Sequence, residues 1–182
     1  DTKYISSIGD DYKTIKNELR SIIDSNFDYV FITGGLGPTH DDITINAFSE
    51  FFKLDKNIDD IYLSQLKNRF KDKGLKMPKV NEVQAIVLDK CIAINNPIGT
   101  ARCIHYKHDN IKFFILPGVP SEMRAIFNQE VKPNHLSINS DDRIKIIKTS
   151  GKSESFFVDT LGHYLHDSDY KIGFLPYFTG VN

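Results

Sequence analysis

The stretch Phe31-Ile32-Thr33-Gly34-Gly35-Leu36-Gly37-Pro38-Thr39-His40-Asp41-Asp42-Ile43-Thr44 (FITGGLGPTHDDIT, residues 31–44) joins an apolar run, a glycine-rich turn, two acids and a helix start. Tyr29 and Val30 extend the apolar run backwards into a short β-prone segment, which predicts a buried strand. Gly34, Gly35 and Gly37 let the backbone turn tightly and approach a ligand with no Cβ in the way, and Pro38 limits the turn's freedom. After Thr39 and His40, Asp41 and Asp42 stand at the start of a helical pattern carried by Ala47, Phe48, Phe51 and Phe52. Free N–H groups and the helix dipole favour an anion at such a position. Carboxylates there would repel a bare phosphate, but they would hold a hydrated divalent cation that bridges to one. No Gly-Lys-Ser/Thr follows the turn, so it is not a Walker A loop, and it is not the GxGxxG dinucleotide fingerprint. The competing reading is a tight strand-to-helix turn whose Asp only caps the helix.

Working outward, residues 3–8 alternate as a strand does, and Asp10-Asp11 then open a helix with Tyr12, Ile15, Leu19, Ile22 and Ile23 at the helical period. Residues 27–33 form the next strand, followed by the glycine turn and a helix from about residue 45 to 52. Two successive β-loop-α units predict an α/β fold with a parallel sheet and helices on its faces. Ligands in such sheets sit beyond the carboxyl ends of strands. Asp10 and Asp42 each lie just past a predicted strand, which would bring both acids to one edge. A third helix is predicted over residues 59–73, with Ile61, Leu66 and Phe70 as its apolar stripe, Gly74 as its stop and its charges as a solvated face.

Beyond it come a β-like stretch at 84–94, a turn at 95–100, and a hairpin pairing 101–106 with 111–116. The apolar strand 113–116 runs into Pro117-Gly118-Val119-Pro120, and Ser121 opens a helix carrying Met123, Ile126 and Phe127. That helix start could offer N–H groups to a second phosphate or polar group, or be a plain capped turn. The polar segment 132–142 reads as a linker, which places domains at residues 1–135 and 143–182. The second holds a strand at 144–149, a helix at 154–165 and a strand at 171–178, a poor independent core. Such a piece has to pack on other protein, and a homodimer is the expectation.

With 40% hydrophobic residues, 13 Phe and 8 Tyr, the 182-residue chain supports a packed interior. A net charge of −1 gives no bulk attraction to nucleic acid or anionic membrane, so neither is expected as a partner. Cys91 and Cys103 lack metal-ligand spacing and read as reduced core thiols. No apolar run approaches the ~20 residues of a membrane span, and no signal h-region opens the chain, so a cytoplasmic location is expected. Among the histidines, His40 in the glycine loop is the candidate for ligand contact. His105 and His108 flank the hairpin turn and read as exposed, and His163 and His166, with Asp159, could share a helix face as metal ligands or lie on a solvated surface.

Four segments also bring a family to the page. TGGLGPTHDDIT (33–44), NEVQA (81–85), NPIGTA (96–101) and LPGVPSEM (116–123) occur in an order and spacing similar to the N-terminal domain of the competence/damage-inducible CinA family. That domain belongs to the molybdopterin-binding group, with molybdopterin adenylyltransferases and a domain of some eukaryotic FAD synthases. The resemblance covers about residues 5–131, and TSGKSES (149–155) with IGFLPYFTGVN looks like the small α+β domain that follows in CinA. It implies a three-layer, mostly parallel sheet with helices on both faces and a small C-terminal α+β piece. Measured against that pattern, this chain starts at the family's second strand.

The resemblance further implies that Asp10 and Asp42 serve Mg²⁺ or another divalent cation, with K⁺ left open as a companion ion. Gly34, Gly35, Gly37 and Thr39 would line the phosphate or pterin side, together with Thr33, Pro38 and His40 of the same loop. Asn96, Gly99 and Thr100 would contribute from the middle turn, and Gly118, Pro120, Ser121 and Glu122 from the facing loop. Adenylyltransferases typically carry a basic residue before the second acid, whereas Asp41 precedes Asp42 here, which looks like CinA or the FAD-synthase-linked domain. The leading expectation is therefore metal-dependent hydrolysis of ADP-ribose or a related dinucleotide, with Asp41 orienting or deprotonating the water. A non-catalytic nucleotide- or pterin-binding module and a molybdopterin adenylyltransferase are the alternatives.

Overall fold

The computed structural model describes residues 2–137, 146–166, 172–177 and 180–181, and the chain divides into two units, Asp1–Leu136 and Ser137–Asn182. In the first, Asp11 caps helix α1 (Tyr12–Ile23) by accepting a hydrogen bond from the Thr14 N–H at 2.8 Å. The helix buries Ile15, Leu19 and Ile22 on one stripe. Strand β1 (Tyr29–Thr33) then leads through the glycine turn into α2 (Thr44–Phe52), which ends at Lys53 in the left-handed conformation. A small antiparallel pair, β2 (Lys56–Ile58) with β3 (Ile86–Leu88), brackets α3 (Asp60–Asp72) and a 3-10 turn at Lys79–Ala85. Strands β4 (Ile92–Ile94), β5 (Cys103–His108) and β6 (Ile111–Leu116) follow. Helix α4 (Pro120–Ile126) runs on through a π-helical turn at Phe127–Val131 into α5 (Lys132–His135).

The main sheet has the order β1-β6-β5-β4. It is mixed: β1 and β6 are parallel, while β5 pairs antiparallel with both β6 and β4. The expected hairpin accounts for the antiparallel part, because a tight turn can only join antiparallel neighbours. Alternation along β6 defines the layers. Phe113 and Ile115 join a core with Ile15, Leu19 and Ile22 of α1 and Ala47 and Phe48 of α2, while Phe114 and Leu116 join a second core with Ile126 and Val131. Helices therefore cover both faces of the α/β sheet, and β6 is buried on both sides, as its unbroken apolar run requires.

Several expectations are corrected. Residues 3–8 form no strand, and Ile5 is 85% exposed; alternation marks two faces, but a strand needs neighbouring backbone to pair with, and Tyr4 instead stacks on Phe27 at 6.2 Å. In α3, Ile61 is 76% exposed and the buried residues are Tyr62 and Leu66, which pack on Ala85. The stretch 84–94 is broken by the 3-10 turn and by Lys90, whose φ is +59°. His105 is buried, since it lies inside β5 rather than at the turn: its ring stacks on Phe114 at 4.4 Å and its Nδ1 lies 3.1 Å from the Phe113 carbonyl oxygen. Residues 132–135 continue the helix instead of opening a linker.

In the second unit, β7 (Thr149–Ser150), β8 (Pro176–Tyr177) and β9 (Gly180–Val181) form an antiparallel sheet of order β7-β9-β8, and α6 (Glu154–His166) lies between β7 and β8 in sequence. Residues 144, 145, 171 and 178 of the expected strands, and the side chains of His163 and His166, lie outside the described residues. No helix among the described residues is long and apolar enough to cross a membrane.

A pH effect follows from His135, whose ring meets His105 edge-on at 5.0 Å while its carbonyl accepts from Lys112 Nζ at 3.3 Å. Burial first, then His105 and Lys112, hold its pKa below the ordinary value, which is about 6.5. A depressed histidine pKa means that the unfolded chain takes up the proton first. The stabilisation is present above pH of about 6.5 and is lost as pH falls through the folded value. Urea denaturation at pH 7.5 and 5.0 should show the wild type losing more stability than His135→Gln; equal losses would refute this.

Candidate phosphate-binding site at the carboxyl ends of β1 and β6

Two loops leave the carboxyl ends of adjacent parallel strands. Thr33 of β1 pairs with Leu116 of β6, and the Gly34 N–H donates to the Leu116 carbonyl at 3.0 Å, so the glycine turn and the Pro117–Pro120 loop start side by side. A methyl group on Gly118 would come within 3.2 Å of Gly34 Cα. The two backbones thus approach as closely as the missing side chains permit. Gly35, at φ +68°, sits over Thr44 at the start of α2, and a Cβ there would come within 2.8 Å of Thr44 Cβ. Positive φ and that contact together require glycine.

The acids are placed by the turn itself. Asp42 Oδ2 accepts hydrogen bonds from the Thr39 N–H at 2.9 Å and from the Thr39 hydroxyl. The same carboxylate occupies the space above Gly37, where a Cβ would lie 3.0 Å from Asp42 Cγ. Burial pulls the Asp42 pKa upward, but the hydrogen bonds from Thr39 and the Gly37 N–H outweigh it and the net shift is downward. Asp41 is also lowered, first by the Thr39 hydroxyl. Both carboxylates are ionised at neutral pH. Neither caps α2, whose N-cap is Ile43 without a side-chain bond. His40 is 99% exposed, with Nδ1 3.9 Å from Asp41 Oδ1, and Pro38 is exposed beside it.

A second cluster ties the middle turn to the facing loop. The buried Asn96 donates from Nδ2 to the Ala101 carbonyl at 3.0 Å and to Glu122 Oε2 at 2.7 Å. Its Oδ1 accepts from the N–H groups of Ile98 at 3.1 Å and Gly99 at 2.8 Å. Glu122, in the first turn of α4, is thereby committed to holding the turn rather than free for a ligand. The Thr100 carbonyl accepts from the Tyr62 hydroxyl at 2.8 Å and the Gly99 carbonyl from Arg69 at 3.0 Å. Replacing Asn96 by Ala leaves a half-buried carboxylate oxygen and backbone groups without partners, and should lower stability by about 1–3 kcal/mol. Chemical denaturation measures this; a loss below about 0.5 kcal/mol would show that the cluster does not hold the turn.

Not every sequence candidate is brought together. Asp10 is exposed just ahead of α1 and has no hydrogen bond or ion pair among the described residues, so nothing joins it to Asp42. Ser121 is exposed, and α4 begins at Pro120 with Val119 as its N-cap. Sequence reasoning missed Arg102, buried with its Nη1 2.7 Å from Asp59 Oδ2 and its guanidinium 3.8 Å from the Tyr62 ring centroid. It also missed Arg69, whose one signal was the charge of α3. Cys91 and Cys103 are inert: burial pushes both thiols up to about 12, with Asp89 adding to the effect at Cys91.

Residues 1–136 match the family described as "Probable molybdopterin binding domain". A crystal structure titled as the protein CinA, with unknown function, from Thermoplasma acidophilum is 34% identical with a TM-score of 0.59, covering 68% of this chain and 72% of that one. The chain belongs to the CinA family of molybdopterin-binding domains. Curated relatives agree: the "Putative competence-damage inducible protein" of Caldicellulosiruptor saccharolyticus is 32% identical over 92% of this chain and 41% of its own length. Its namesake in Listeria monocytogenes (serovar 1/2a) is 31% identical over 81% of this chain and 36% of its own length. The chain thus spans about two fifths of these CinA relatives. Membership carries the fold, and the glycine turn and its facing loop lie inside the matched region.

Proposed function

We propose that the paired loops bind the phosphates of ADP-ribose or a related dinucleotide in a metal-dependent pyrophosphatase of the CinA type. The reading is carried by the close approach of Gly34 and Gly118 at adjacent parallel strand ends beside the ordered, ionised Asp42. Gly118 is exposed, and glycine backbone with no Cβ in the way lets phosphate oxygens reach free N–H groups.

The donors suit a Mg²⁺-class ion, which uses one or two carboxylates and takes its other ligands from water and substrate phosphates. No group of three or more His, Cys, Asp or Glu that would make an all-protein cage gathers among the described residues. Asp42 would hold the ion, with water and substrate phosphates completing its shell. When bound, the ion supplies positive charge to the phosphate oxygens. Asp41, adjoining Asp42 in sequence, exposed and ionised, would orient the attacking water or take its proton. The water oxygen bonds to one phosphorus as the bridging P–O bond breaks, and the products are AMP and ribose 5-phosphate.

Mn²⁺ offers a test independent of turnover. With ADP-ribose present, it should broaden the amide resonances of Gly37, residues 39–42, Gly118, Val119, Ser121 and Glu122 in the wild type and not in Asp42→Asn; equal broadening in both would remove Asp42 from the metal site. A module that binds nucleotide or pterin without chemistry is the second reading, favoured by the lack of any hydrogen bond or ion pair between Asp10 and Asp42 among the described residues. It requires ligand binding without product.

A further inference from the structure

Between α3 and the segment that follows it lies a cleft of about 760 Å³ lined by Lys67, Lys71, Lys76 and Lys79, with Leu75, Met77 and Pro78 between them and Glu82 as its acid. Its volume falls within the range of small-ligand pockets, about 300–1,000 Å³. Lys67 and Lys71 are four residues apart and share a helix face, whereas Arg69 between them points the other way and bonds to the Gly99 carbonyl. The cleft is therefore on the opposite face of α3 from the Asn96 turn.

The charge of this region is as unusual as its shape. From residue 67 to 79 the chain carries six basic residues, Lys67, Arg69, Lys71, Lys73, Lys76 and Lys79, against one acid, Asp72, while the whole chain has a net charge of −1. Glu82 lies 3.8 Å from Lys67 Nζ and is the counter-charge in the lining. Lys71, Lys76 and Lys79 have no ion-pair partner among the described residues. Like charges held around one concavity repel one another and raise the local concentration of anions. The exposed Leu75 and the half-buried Met77 leave apolar surface among those charges.

We propose that this cleft is a second anion site that binds a nucleotide-sized ligand bearing several phosphates, the phosphates on the lysines and the apolar part on Leu75, Met77 and Pro78. It is separate from the glycine turn and needs no metal, because ammonium groups supply the positive charge directly. The solvated lysines make binding sensitive to salt.

ATP in excess EDTA is the probe, measured by calorimetry with the whole chain. Binding should weaken as salt rises, fall by about tenfold or more in Lys71→Glu/Lys76→Glu, and remain unchanged in Asp42→Asn. Both lysines are exposed, so the unfolding midpoint should hold and mark any loss of binding as local. Tripolyphosphate should bind more weakly than ATP. Unchanged ATP affinity in the double variant, or its loss in Asp42→Asn alone, would overturn the site. Equal affinity for tripolyphosphate would overturn the apolar contact, and a single-stranded oligonucleotide binding more tightly than ATP through the same lysines would overturn the small-ligand assignment.

Discussion

Replacing Asp42 by Asn is expected to slow ADP-ribose hydrolysis by about two to four orders of magnitude while leaving the fold in place. The substitution removes the negative charge that would hold the cation, but an amide oxygen can still accept the Thr39 N–H and hydroxyl that order the turn. Asn is also close in volume to Asp, so the space above Gly37 stays filled. Stability should change by less than about 1 kcal/mol. Product formation followed by chromatography, beside a urea unfolding curve, separates loss of charge from loss of structure. Undiminished turnover in a folded variant would exclude Asp42 from the chemistry.

The second large effect is on the core. Phe48 of α2 is fully buried, with ring centroids of Phe52, Phe113 and Tyr106 at 4.6, 5.6 and 5.7 Å. Phe48→Ala empties the centre of that cluster and should lower unfolding free energy by about 3–5 kcal/mol. The consequence reaches the site, since α2 carries Thr44 beneath Gly35 and begins two residues after Asp42. A loss under about 1 kcal/mol in denaturant would mean that α2 is not seated on β6 as described.

The strongly patterned parts were legible in the sequence. α1, α2 and the β5–β6 hairpin carry their own periodicity, Asp11 caps α1, and the glycine turn declares itself because Gly35 and Gly37 each answer a local clash, with Thr44 and with Asp42. What local pattern cannot show is which backbone lies alongside. Residues 3–8 alternate correctly yet pair with nothing among the described residues, so the edge that would unite Asp10 with Asp42 is not built from them. His105 lies close to a turn along the chain, but its burial comes from Phe114 on the neighbouring strand and His135 of α5.

Charged residues were the other blind spot. The charges of α3 read as a solvated face, yet Arg69 holds the Gly99 carbonyl and Lys67 and Lys71 line a cleft. Arg102 gave no local signal either, because its partners Asp59 and Tyr62 are forty or more residues away in sequence. Glu122 shows the reverse case: it was legible as a loop acid, but its bond to Asn96 makes it a brace rather than a ligand group.

The most direct test of the pyrophosphatase assignment is incubation of the purified chain with ADP-ribose and Mg²⁺, Mn²⁺ or Co²⁺, with AMP and ribose 5-phosphate quantified over time. Equimolar release of both products, dependent on the cation and absent in excess EDTA, is the expected result. Folded protein that binds ADP-ribose in the presence of the cation and releases no AMP would contradict the pyrophosphatase and leave a binding module in its place.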